Sequence, residues 1–343
     1  MTEAAQRGSH VERDFVLEAG GVLAEAKAAY VTLGRLNAER SNAVLMTHGF
    51  TSTHEYILPG SRAAEGSWSD LVGPGKAIDT ERFFVISSNA LGSCYGSTGP
   101  ASIDPATGLA YGPGFPKIGF HDVVRLQKAM LDELGIARLQ AVAGVSMGGF
   151  QAFQWGVQYP DAVARLVVAL SAPSGKRVSS AGAQGLREKM ATDPAFEGGR
   201  YAKGAMNPFL TRLRVDTLRN YGMDAWLRDQ SMDEQRREQA IAAMAQDWAT
   251  SFDANSLLAL MGAIEDFDIR GSLAAIKARV LYVLCSTDAL FPASMGEGVA
   301  ADLRAHGVQT SFHELSSPYG HLASGLDWGG WSEPLRAFMR DAP

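Results

Sequence analysis

Apolar residues in this chain are bunched into short, nearly unbroken runs separated by longer stretches of mixed polarity. The runs lie at 43–50 (AVLMTHGF), 82–91 (RFFVISSNAL), 139–146 (LQAVAGVS), 165–172 (RLVVALSA) and 279–286 (RVLYVLCS). Runs of this length, rich in Val, Leu, Ile and Phe, predict strands covered on both faces, as in a parallel sheet. Between several of them the apolar period lengthens to that of a helix. Within 121–136, Val124, Gln127, Met130, Leu131 and Leu134 follow helical spacing, and Gly135 is placed to end the helix. Strands alternating with helices predict a βαβ series and hence an α/β fold with a doubly wound, mostly parallel sheet.

The alternation stops between about 176 and 262, where the chain becomes charged and helix-prone, as in 233–252 (DEQRREQAIAAMAQDWATSF). Strand-like runs resume at 279. The pattern predicts one α/β core made of 1–175 and 263–343, with 176–262 inserted as a helical lid. Such a lid would cover the carboxyl ends of the strands, where open α/β sheets bind their ligands.

Bulk properties narrow the function classes. At 343 residues and 46% hydrophobic content the chain can bury a large core. A net charge of −6 offers no positive field to a phosphate backbone, so nucleic acid is not an expected partner. Residues 1–14 are polar and charged, and no run approaches the roughly 18 apolar residues of a membrane span, so a cytoplasmic protein with no membrane partner is expected. Two cysteines, Cys94 and Cys285, are too few for a disulfide framework or a cysteine-based zinc site. With no H-E-x-x-H motif either, no metal and no cofactor are expected.

The sharpest local feature is Gly144-Val145-Ser146-Met147-Gly148. G-x-S-x-G is short enough to arise by chance, so its context decides its meaning. It follows the run 139–145 and precedes the helix-like 150–160, the strand-turn-helix setting of a nucleophile elbow. A serine is a weak nucleophile until a base takes its proton and a third group orients that base. His306, His313 and His321 follow Ser146; the first falls in a helix-like stretch and the second in a strand-like one. His321 sits in a loop (SSPYGHLASG) past the last strand, so it is the expected base. Asp288, in the turn directly after 279–286, is the expected orienter, with Asp266 and Asp268 as rivals that precede that strand. Acyl transfer also needs oxyanion donors: the backbone N–H groups of Met147 and Phe50 are the candidates, which makes His48 a structural residue of the 48–50 loop. A non-catalytic protein retaining the fold is the rival from a different class.

With these residues in place, the chain resembles the homoserine O-acetyltransferase family of α/β-hydrolases. The likeness is carried by 68–116 (WSDLVGPGKAIDT through DPATGLAYGPGFP), 121–136, 144–155 (GVSMGGFQAFQW) and 251–268 (SFDANSLLALMGAIEDFD). It implies triad roles for Ser146, Asp288 and His321, a helical lid, and a homodimer joined through that lid. It also shows departures. The family places an aspartate after the histidine to hold the acceptor's ammonium group, and here stands Leu322; its RFDAN is SFDAN here, with Ser251 for arginine. An arginine and a tyrosine of the family's lid bind the acceptor carboxylate; in 206–222 Arg212 is the match and no tyrosine is assigned. Phe50, Met147, Leu322 and Arg212 are therefore the expected substrate contacts. Leu322 and Ser251 favour an esterase acting on small-molecule, short-chain carboxylic esters; the alternative is homoserine O-acetyltransferase or a related O-acyltransferase using acetyl-CoA.

Overall fold

The computed structural model describes residues 4–61, 66–176 and 181–340. The five apolar runs form strands at the centre of one sheet: β3 (Ala43–Thr47), β4 (Phe84–Ser88), β5 (Ala141–Val145), β6 (Arg165–Ala169) and β7 (Arg279–Cys285). An N-terminal hairpin, β1 (Gln6–Val16) and β2 (Val22–Leu33), extends one side, and β8 (Thr310–Leu315) closes the other. The strand order is β1-β2-β4-β3-β5-β6-β7-β8. From β4 to β8 neighbours run parallel, while β2 is antiparallel to both of its neighbours. This is the expected doubly wound α/β-hydrolase sheet, with the hairpin added. The hairpin does not announce itself because β1 is an edge strand: only His10 and Phe15 among its side chains are fully buried, too few to set a clear alternation.

The direction of winding reverses at β3, whose two neighbours are β4 and β5. The loops leaving β3 and β5 therefore flank the switch point of the sheet, the place where a crevice opens beyond the carboxyl ends of the strands. On one face α1 (Phe120–Glu133) and α2 (Met147–Gln158) bury Met130, Phe150, Phe153 and Trp155 against Leu45 and Val142. On the other face Tyr56, Trp68 and Trp331 pack over Val44, Ala143 and Val167, with the two indoles edge-on at 5.2 Å.

Between β6 and β7 the described residues form helices and no named strand: α3 (Gly182–Ala191), α4 (Asn207–Asn220), α5 (Met223–Asp229), α6 (Glu234–Ala249) and α7 (Ala254–Asp266). Residues 177–180, at the start of the expected insertion, lie outside the described set. Side-chain caps start α6 and α7, where Asp233 and Asp253 accept from the amides of Arg236 and Ser256, each at 2.8 Å. α7 continues past 262, and its Leu260, Met261, Ala263 and Ile264 join the main core beneath α2. The chain ends with α8 (Gly296–Ala305) and α9 (Ser332–Arg340).

Candidate active site

Ser146 occupies the one-residue turn between β5 and α2 with φ 56° and ψ −118°, a backbone conformation that L-residues rarely adopt. The neighbouring glycines make the turn sterically possible. A Cβ on Gly144 would fall 2.2 Å from Thr47 Oγ1, and one on Gly148 2.0 Å from the Thr47 carbonyl oxygen. The G-x-S-x-G spacing thus lets β3 press against the elbow while the serine hydroxyl stands clear. α2 begins immediately afterwards, so the Met147 N–H is a first-turn amide with no carbonyl one turn behind it, and the positive end of the helix faces the serine.

His321 comes from the loop after β8, and Asp288 from the turn after β7. Ser146 Oγ lies 2.9 Å from His321 Nε2, and His321 Nδ1 lies 2.9 Å from Asp288 Oδ2. Loop-to-loop bonds fix this line. Thr287 Oγ1 donates to the Ser317 carbonyl at 2.7 Å and accepts from the Gly320 N–H at 3.1 Å, tying the Asp288 turn to the His321 loop. Burial works against the charge of Asp288, but the His321 ring and the amides of Leu290 and Phe291 outweigh it and hold the carboxyl below its ordinary range. Tyr221 and Phe291 flank the imidazole, with ring centres 4.7 and 5.8 Å away.

The rival residues sit elsewhere. Asp268 is held by Arg270 and Lys176, and Asp266 by Lys117. His306 bonds to its own helix end at the Asp302 carbonyl, and His313 to the Gly330 carbonyl.

The loop leaving β3 approaches the serine from the opposite side to α2. His48 is fully buried; its Nδ1–H donates to the Gly49 carbonyl at 2.8 Å, and its Nε2 accepts the Ala90 N–H at 2.9 Å. Both partners have fixed roles, so the tautomer is determined. Burial holds this ring down to about 4, and it is neutral under ordinary conditions. Because a trans peptide points its C=O and N–H in opposite directions, anchoring the Gly49 carbonyl on His48 turns the Phe50 N–H away from His48. Gly49, Phe50, Ser146 and His321 line a narrow hollow of about 30 Å³.

A second hollow of about 170 Å³ shares Phe50, Thr51 and Tyr221 with the first and runs under the helices between β6 and β7. Its walls are largely apolar, including Leu186, Trp248, Leu257 and Met261, but they also carry Arg214. That side chain is 3% exposed; Nη1 donates to Thr51 Oγ1 at 2.9 Å and the guanidinium lies 4.5 Å from the Trp248 ring centre. Burial pulls Arg214 down to about 9 and pushes the Tyr221 hydroxyl up to about 12.

These positions correct the expected substrate contacts in two places. Arg212 points outward and pairs with Asp193 at 3.0 Å; two residues along a helix are about 200° apart, so when Arg214 faces inward Arg212 cannot. Arg214 and Tyr221 are the arginine and tyrosine that line the cavity. The signal was present in α4, where Leu210, Arg214 and Leu218 recur every four residues on the buried stripe. The Met147 side chain is fully buried in the core beneath the sheet and does not line either hollow. Leu322 does line the smaller one, 3% exposed and packed with Leu218, Leu227 and Ile241. Ser251 is not on their walls; its hydroxyl donates to the Trp248 carbonyl, with Tyr95 nearby, so its identity does not alter the charge beside Ser146. Among the described residues no group of three or more His, Cys, Asp or Glu is placed to hold a metal ion. No helix among them is long and apolar enough to cross a membrane.

Comparison with known proteins places this geometry. Residues 42–326 match the alpha/beta hydrolase fold family model. The homoserine O-acetyltransferase of Geotalea daltonii is 35% identical, with 96% of both chains covered. The chain belongs to the homoserine O-acetyltransferase family of α/β-hydrolases. Solved structures within reach of the family divide by activity. The homoserine O-acetyltransferase of Bacillus anthracis superposes with a TM-score of 0.86 at 28% identity, covering 99% of this chain and 98% of that one. Esterase E22 superposes with a TM-score of 0.87 at 26% identity, covering 98% and 100%. Membership in the family thus establishes an acyltransferase or hydrolase framework, and the walls of the site bear on which acceptor it serves.

Proposed function

We propose that the chain is an O-acyltransferase that takes an acyl group from a thioester such as acetyl-CoA onto Ser146 and passes it to the hydroxyl of a small, carboxylate-bearing alcohol. In the first half, Ser146 Oγ attacks the acyl carbonyl while His321 Nε2 accepts its proton, which then leaves with the thiol. The oxyanion would rest against the N–H groups of Met147 and Phe50. In the second half, the acceptor hydroxyl gives its proton to His321 and attacks the acyl carbon, and Ser146 Oγ departs and recovers the proton. Asp288 orients the imidazole and stabilises its charged form.

The observation that carries this reading is Arg214. An arginine buried beside Tyr221 and Thr51, in a hollow that shares Phe50, Thr51 and Tyr221 with the one holding Ser146, is placed to meet the carboxylate of an acceptor, which an enzyme whose second substrate is water does not need. Relatives named homoserine O-acetyltransferase, similar along nearly the whole chain, support the same reading. Leu322 favours the second reading, hydrolysis of short-chain esters, because an apolar residue next to His321 gives no acid to hold an ammonium group.

The test is partition of the acyl-enzyme. Purified protein is supplied with acetyl-CoA, with and without an alcohol acceptor, and both thiol release and O-acetyl product are followed. Homoserine and its analogue without the amino group are the first acceptors. Product formed in step with thiol release supports transfer; thiol release at the same rate with no O-acetyl product from any acceptor sinks transfer in favour of hydrolysis. Changing Ser146 to Ala should lower either activity about 10⁵- to 10⁶-fold with the fold intact, and retained turnover in that variant disproves the acyl-serine.

A further inference from the structure

The loop that carries His321 is held from two sides. On the sheet side, Thr287, the residue before Asp288, accepts the Gly320 N–H at 3.1 Å. On the other side stands the corner between α4 and α5, where Tyr221 and Gly222 join the two helices. The Tyr221 carbonyl accepts the Leu322 N–H at 3.2 Å, and the Tyr221 ring meets the imidazole edge-on at 4.7 Å.

Two glycines let the corner and the loop touch through their backbones. Gly222 has φ 103°, and a Cβ on it would fall 2.4 Å from the Tyr319 carbonyl oxygen. Gly320, facing back with φ 52°, would place a Cβ 3.0 Å from the Tyr221 carbonyl oxygen. Both obstacles are backbone and cannot rotate aside, so residues with side chains would hold the two segments apart. At the far end of α5, Asp229 accepts from Tyr319 Oη at 3.0 Å. One short helix and its leading corner thus grip Tyr319, Gly320 and Leu322, the residues that bracket His321.

We propose that Gly222 and Asp229 are positioning residues for the base: the α4–α5 corner sets the imidazole on the line from Ser146 to Asp288, and that line is complete only while the corner is seated. The inference rests on the acyl-serine reading above, with His321 as its base, and gives the helical layer a role besides lining the hollows. Neither Gly222 nor Asp229 touches the reacting atoms. Their effect passes through the loop, because the bonds from His321 to Ser146 and to Asp288, each 2.9 Å, weaken steeply when the ring shifts or tilts.

Two readouts on the intact protein test this: the rate of acylation by p-nitrophenyl acetate, and the far-downfield proton resonance of the His321–Asp288 bond, identified by its loss in His321→Gln. Gly222→Ala should slow acylation about 10²-fold, as displacement of a reacting group by about 1 Å does, with KM changed only a few-fold and the resonance broadened or lost. Acylation within about twofold of the parent overturns the inference, and so does slow acylation with the resonance unchanged. Tyr319→Phe and Asp229→Ala should each slow acylation several-fold, and the double variant no further, since both remove one bond. Asp229→Asn, which keeps an acceptor, should restore most of the rate. Additive losses, or no loss in either single variant, refute the positioning role of Asp229; this cycle decides the matter alone if Gly222→Ala does not fold. A parent protein that forms no acyl-serine would sink the reading beneath, whereas the resonance still reports whether the corner seats the imidazole.

Discussion

His48 illustrates how much a buried, uncharged side chain can contribute at a reactive centre. Its two ring nitrogens hold the Gly49 carbonyl and the Ala90 amide, which fixes one peptide plane, and that plane carries the Phe50 N–H. Losing a single oxyanion donor costs about 10²- to 10³-fold in kcat. His48→Leu should approach that loss with KM changed only a few-fold, while His48→Asn, which keeps an N–H near the position of Nδ1, should recover part of it. Because the ring is neutral well above its value of about 4, neither variant should move the alkaline or neutral limbs of the pH profile. A shifted limb identifies His48 as a titrating base and refutes the positioning role; an unchanged kcat in His48→Leu refutes it as well. At this scale the sequence was informative where candidate side chains follow strand ends: Ser146, Asp288 and His321 each come after one, and the structure brings the three within hydrogen-bond distance. Arg214 was missed because the nearby Arg212 satisfied the resemblance, and only the four-residue recurrence in α4 separates the inward arginine from the outward one.

At the scale of elements, the strand β5, the turn at Ser146 and the helix α2 form one unit clamped by β3. Gly148 is where that clamp is tightest, since a methyl group there would lie 2.0 Å from the Thr47 carbonyl oxygen, which is backbone and cannot rotate aside. Gly148→Ala should gain about 0.8 kcal/mol of helix propensity yet lose more through forced displacement of β3 from α2, a net destabilisation of about 2 kcal/mol. Urea unfolding with an unchanged slope measures it, and a variant as stable as the parent shows that the elbow has slack. The same unit explains why the apolar runs overshot the strands. β3 stops at Thr47 and β4 at Ser88, whereas the runs continue to Phe50 and Leu91. Residues 48, 89, 90 and 91 remain buried after leaving the sheet, so burial, which the runs report, persists where strand geometry has already ended. The hairpin β1–β2 is the converse case, with strand geometry and little burial on β1, so hydrophobic periodicity was silent about it.

Across the whole molecule, two large apolar layers cover the faces of the sheet, while the helices between β6 and β7 hold only two smaller clusters of their own. Those helices meet the core through several polar contacts, among them Tyr319 Oη to Asp229 at 3.0 Å and the Leu322 N–H to the Tyr221 carbonyl at 3.2 Å. Thr51 takes Arg214 through its hydroxyl and the Trp248 indole N–H through its carbonyl at 2.9 Å, and it is the residue after Phe50 in the loop that would supply an oxyanion donor. Thr51 therefore ties the position of these helices to the loop after β3. Regions with less buried apolar contact open at lower free energy than the global unfolding. Amides of α4, α5 and α6 should accordingly exchange with deuterium faster than those of β3, β5 and β6. A serine-directed phosphonate that labels Ser146 would fill the hollow they roof and should slow exchange in α4 and α6 by tenfold or more, with little change in the central strands. Thr51→Val, which keeps the carbonyl but removes the hydroxyl, should weaken that protection most in α4, because Arg214 loses its anchor while Trp248 keeps its own. Equal protection of both helices in that variant would show that the link between this helical layer and the reactive loop does not run through the Thr51 hydroxyl.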